Sequence, residues 1–112
     1  VVNAFVPGQR QGQTFRAMNE GMADYFSASF LRDPNIGEWF VAIAQFESRL
    51  PFLRTTDNAN TFPRNITGLV HSDGNMLSGA LWEVRTALGA ENGDRVALGM
   101  LARPTGAAAF FD

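Results

Sequence analysis

Between residues 14 and 31 the apolar side chains Phe15, Met18, Met22, Tyr25, Phe26 and Phe30, with Ser29 among them, recur every three or four positions. That period matches one side of an α-helix and gives it a wide apolar stripe. A helix of this kind must bury that side, so the chain is committed to helix-on-helix packing. Asp33-Pro34-Asn35 ends the pattern, because proline lacks an N–H and restricts the residue before it. A second stripe, Met76, Leu77, Ala80, Leu81, Val84 and Leu88, predicts a helix over residues 73–88. Ser72 or Asp73 is placed to cap it and Gly89 to end it. A third, shorter helix is predicted over residues 95–102, capped by Asp94 and stopped before Pro104. Residues 7–13, Pro-Gly-Gln-Arg-Gln-Gly-Gln, predict a polar loop. Residues 39–46 fit either a short helix or a strand, and residues 49–63 predict an irregular loop. The expected fold class is mainly α, as one unit without internal repeats.

Composition narrows the function classes. The chain has 112 residues, 46% hydrophobic and 18% charged, which places it with globular rather than disordered proteins. A net charge of -2 and a pI of about 5.3 carry no nucleic-acid footprint. Cysteine is absent, which excludes disulfides, thiolate metal sites and cysteine nucleophiles together. Apolar runs such as Phe40-Val41-Ala42-Ile43-Ala44 fall far short of the roughly 18 residues a membrane span needs. No Gly-x-Ser-x-Gly nucleophile motif is present. The abrupt apolar run over residues 1–6 and the helix-like start over residues 105–112 predict a partial domain, truncated at both ends. Apolar faces left uncovered in such a fragment suit self-association.

Four features carry chemistry. Glu20 and Asp24 stand four residues apart in the first helix, so their carboxylates share one face. Like charges at that spacing repel unless a cation intervenes, and the flanking Met22, Tyr25 and Phe26 leave only a narrow polar stripe for them. On a solvated face the pair would do nothing. His71, the chain's single histidine, stands just before the second helix. A lone histidine there is most simply a structural hydrogen-bonder. Arg54 stands in the polar stretch Leu53-Arg54-Thr55-Thr56-Asp57-Asn58, where a surface arginine is the plain reading. Ile36-Gly37-Glu38-Trp39 reads as a structural acidic turn.

In this order, Asn19-Glu20 with Asp24 on an amphipathic helix, Ile36-Gly37-Glu38, Leu53-Arg54-Thr55 with Asp57, and Val70-His71 opening another helix resemble the thermolysin-like and fungalysin-like zinc metallopeptidases. The stretch from Val70-His71 to Gly79-Ala80-Leu81-Trp82-Glu83-Val84, like Ile36-Gly37-Glu38-Trp39, is closer to the fungalysin-like side. The resemblance spans residues 17–88 and implies the carboxy-terminal helical subdomain of the catalytic domain. It implies Glu20 as the third zinc ligand and Asp24 as the carboxylate that orients a ligand histidine. It also implies His71 as the donor to the oxyanion of the tetrahedral intermediate, and Arg54 as the residue that binds a substrate backbone carbonyl. The implied cofactor is one catalytic zinc, and the implied partners are a peptide or protein substrate and the missing amino-terminal half of the catalytic domain. The family setting is secreted or extracytoplasmic. A calcium site on Asp33 and Glu38 is a further candidate, although Asn35 stands where the family has another carboxylate.

The sequence departs from the family at several points. His-Glu-x-x-His, which would supply two ligands and the general base, is absent and would fall just before Val1. Gln11 stands where the family has a tyrosine. Ile66 stands where it has the aspartate that orients the catalytic histidine, leaving Asp57 or Asp73 as substitutes. A single carboxylate cannot hold zinc usefully, so the isolated chain is expected to be inactive. The alternative is a non-catalytic helical interaction module or a degenerate peptidase relative.

Overall fold

The computed structural model of the protein describes residues 7–43 and 50–102. The apolar start, the close of the 39–46 segment, the opening of the 49–63 segment and the helix-like far end lie outside these described residues. Six elements follow in order: α1 (Pro7–Leu31), β1 (Asn35–Ile36), α2 (Glu38–Ile43), β2 (Arg54–Thr55), α3 (Val70–Leu88) and α4 (Ala90–Ala102). The fold is mainly helical, as the two apolar stripes required.

α1 is longer than its stripe, because residues 7–13 are helical and not a loop. Proline at the first helical position loses no intrahelical bond, and Gln9, Arg10, Gln11 and Gln13 are good helix formers. Only Gly8 and Gly12 oppose the continuation. The buried side of α1 is also different. Ala17, Met18, Met22, Tyr25 and Ala28 are buried, whereas Phe15 is exposed and Phe30 is 87% exposed. The reason lies in how closely α1 meets α3. A Cβ added to Gly21 would collide with the Gly74 carbonyl, and one added to Gly74 would sit 2.8 Å from the Ala17 carbonyl oxygen. Small residues therefore face the seam, and the phenylalanines are turned away from it.

α3 begins at Val70, three residues before the expected start, and its cap position Leu69 makes no side-chain bond. Asp73 acts backward instead of capping at its own position. Its carboxylate accepts from the Thr67 and Gly68 amides at 2.7 and 3.0 Å and from the Thr67 hydroxyl at 2.8 Å. Gly89 ends α3 as expected, with φ +88°, a conformation that costs glycine little. α4 follows at once from Ala90, so Asp94 lies inside the helix and is not its cap. There it accepts from the Tyr25 hydroxyl at 2.8 Å and the Ser29 hydroxyl at 2.6 Å. Met22, Tyr25, Leu81 and Ala97 form the core where α1, α3 and α4 meet, with Phe26, Leu77, Trp82 and Met100 packed against it.

Among the described residues, what little strand there is lies between residues 35 and 55. β1 and β2 pair antiparallel, Ile36 opposite Arg54 and Asn35 opposite Thr55. Past the end of β2 the Thr56 amide donates to the Pro34 carbonyl at 2.8 Å. Of the two options for residues 39–46, the described part is helical; α2 has no buried residue. Most of residues 50–63 is irregular, as expected, apart from β2.

Candidate functional site

α1 presents Glu20 and Asp24 one turn apart, Glu20 beside His71 in the first turn of α3 and Asp24 beside Arg54 of β2. Asp24 is buried, and an isolated carboxylate there would be costly. Arg54, brought over α1 by the β1–β2 pair, relieves that cost. Its Nε donates to Asp24 Oδ2 at 2.7 Å and its Nη2 to Asp24 Oδ1 at 2.9 Å, a two-pronged geometry that suits guanidinium and carboxylate. The side chains are only 22% and 9% exposed. The hydrogen bond to Asp24 raises the Arg54 pKa further above its already high value, and the charges of Asp24 and Glu20 add to this, against burial. Arg54 is a fixed cation. Because removing either partner would strand a largely buried charge, the loss would cost about 2–4 kcal/mol.

His71 stands at the second position of α3, and its Nδ1 lies 3.2 Å from Glu20 Oε2. Both side chains are open to solvent, at 61% and 40% exposure, so the contact contributes little to stability. Its interest is positional. Four residues from three elements, Glu20 and Asp24 on α1, Arg54 on β2 and His71 on α3, form two adjoining pairs within one turn of α1. Of the two residues offered as orienting His71, Asp73 has both oxygens engaged by residues 67 and 68. The carboxylate that meets the ring is Glu20.

The proposed calcium residues sit together in the turn after α1. Asp33 Oδ1 accepts from the Asn35 amide at 3.0 Å, and Glu38 Oε1 accepts from Asn35 Nδ2 at 3.3 Å. Asn35 thus bridges the two acids as a neutral linker. Among the described residues no group of three His, Cys, Asp or Glu side chains converges to hold a metal ion. No helix among them is long and apolar enough to cross a membrane.

Two features had no signal in the sequence. Asn75, one turn beyond His71, has its Oδ1 buried with no hydrogen-bond partner among the described residues. A groove of about 730 Å³, lined by Met18, Met76, Leu77, Met100, Asn58 and Phe62 among others, opens between α3 and the loop after β2. None of the four clustered residues lines it. The groove depends on how the loop after β2 crosses α3, a contact between segments about twenty positions apart that no local spacing encodes.

Comparison with protein-family models, with curated proteins and with solved structures gives no match for this chain.

Proposed function

We propose that this chain is part of a zinc-dependent metalloendopeptidase of the thermolysin-like or fungalysin-like kind, and supplies its third zinc ligand and its transition-state-stabilising histidine. One observation carries the reading. The residues chosen for their order along the chain, at positions 20, 24, 54 and 71, lie together in space as two adjoining pairs.

Glu20 suits a contribution of one ligand. It is a carboxylate on a rigid helix, open enough to be reached and held beside a fixed cation. Asp24 is committed to Arg54 through both oxygens, although each retains a lone pair for the N–H of a histidine ligand. The general base and the remaining ligands are supplied from outside these 112 residues in this proposal. Zinc, when bound, supplies Lewis acidity toward the scissile carbonyl and its attacking water. Arg54 binds a substrate carbonyl through Nη1, the guanidinium nitrogen outside its pair with Asp24. His71 donates to the oxyanion through Nε2, with Nδ1 turned to Glu20. Each group works from a position set by a neighbour, which removes the cost of organising it during the reaction.

The test is made on the parent protein. Purified protein is expected to hold about one zinc per chain and to cleave peptides. Glu20→Gln is expected to lose most of that zinc and at least a hundredfold in kcat/KM. Zinc content and turnover unchanged by this substitution would sink the proposal. The exposed apolar side chains of α2, Trp39 and Ile43, suit a second reading in which the chain is a non-catalytic interaction module. A parent protein without His-Glu-x-x-His upstream of Val1 would favour that alternative.

A further inference from the structure

We propose that Asn58 is a positioning residue that ties the strand carrying Arg54 to the helix carrying His71. Its meaning for catalysis rests on the peptidase reading, whereas the geometry does not.

β2 is two residues long. Arg54 is tied to α1 through its guanidinium on Asp24, and to β1 and the residue before it through the Leu53 amide on the Ile36 carbonyl and the Thr56 amide on the Pro34 carbonyl, both at 2.8 Å. Neither tie reaches α3, and Asn58 does. Its Nδ2 donates to the Thr55 carbonyl at 2.8 Å, on the peptide one residue beyond Arg54, and its Oδ1 accepts from the Asn60 amide at 3.1 Å. With both ends of the carboxamide engaged, its flat face lies on α3 at Gly79. A Cβ added to Gly79 would stand 2.5 Å from Asn58 Oδ1 and 3.0 Å from Cγ. Gly79 is eight residues, just over two turns, along the same rigid helix from His71. Physical contact is therefore continuous from His71 along α3 to Gly79, across to Asn58, and through Thr55 to Arg54. Two groups that act on one substrate from different elements need a fixed separation, since displacements near 1 Å cost orders of magnitude in rate. Asn58 supplies that fixed link between β2 and α3.

Solvent exchange of the Arg54 Nε–H in the ¹⁵N-labelled chain reads the link directly, with Asp24→Asn as the control that releases the guanidinium. Asn58→Asp keeps the size and the acceptor for Asn60 but removes the donor to Thr55. Gly79→Ala leaves β2 untouched and pushes on the carboxamide from the far side. Each is expected to speed Arg54 Nε–H exchange roughly tenfold, the worth of one net hydrogen bond, with the Tyr25 amide as protected as before. Alanine is the better helix former, so a merely structural effect at position 79 would leave the exchange unchanged or slow it. Wild-type exchange in either variant would overturn the proposal, and loss of Tyr25 protection alongside Arg54 in both would equally assign Asn58 to general folding. A parent protein without zinc would remove the peptidase reading and leave these exchange rates as they are.

Discussion

Tyr25 is the one fully buried aromatic ring among the described residues, and its hydroxyl donates to Asp94 across a sequence separation of 69 residues. Burial first, then the bond to Asp94 and its charge, push the Tyr25 pKa up to about 12. The folded value lies above the unfolded one of about 10, so the stability linked to it is complete below pH 10 and is lost as pH rises toward 12. Two pKa units correspond to about 2–3 kcal/mol. The chain has a single tyrosine, no lysine and no cysteine, so little else titrates in that window. Denaturant unfolding between pH 9 and 12 is expected to show this slope in the wild type and not in Tyr25→Phe. At this scale the sequence is informative where roles follow from spacing. Glu20 and Asp24 share a face by arithmetic alone. Asp94 could not be read that way. Asn92-Gly93-Asp94-Arg95 carries the signal of a helix cap, and only partners 65 and 69 residues away reveal an inward carboxylate.

α4 is attached through Ala97 in the core, with Met100 packed against it, and through the polar contacts of Asp94. Apart from Gly93 and Ala97 its residues are at least partly exposed. Asp94 gathers the Tyr25 and Ser29 hydroxyls, while Arg85 of α3 donates from Nε to Ser29 Oγ at 3.0 Å and lies 4.6 Å over the Trp82 ring. Asp94→Ala leaves two hydroxyls without that acceptor, at a cost of about 2–3 kcal/mol. Amide exchange is expected to speed up along α4 well before α1 and α3 are affected; uniform acceleration across all three helices would contradict this attachment. Periodicity found the middles and far ends of these helices and missed their starts. α1 runs through Pro7 because an initial proline costs a helix nothing. α3 starts early because Asp73 organises the turn before it, and α4 starts early with Gly93 inside it, where the backbone passes Arg85. A Cβ there would sit 2.7 Å from the Arg85 Cα.

The molecule as a whole leaves much apolar surface uncovered. Phe30, Leu31, Trp39 and Ile43 are all more than 60% exposed, grouped on the end of α1 and on α2. In the peptidase reading the rest of the catalytic domain would cover such a surface; in the isolated chain it suits self-association. Sedimentation of the isolated chain is expected to show concentration-dependent association that Trp39→Ser with Ile43→Ser weakens, and a monomer at all concentrations would count against it. Peptide cleavage by the isolated chain is not expected, with or without added zinc. No spacing rule anticipated which apolar residues would be left outside, because that choice follows from the meeting of Gly21 with Gly74. At that point the two longest helices touch main chain to main chain, and the smallest alteration available to either position is a whole methyl group. Variation there is all or nothing: a library randomised at both positions and sorted for folded chains should return glycine at each.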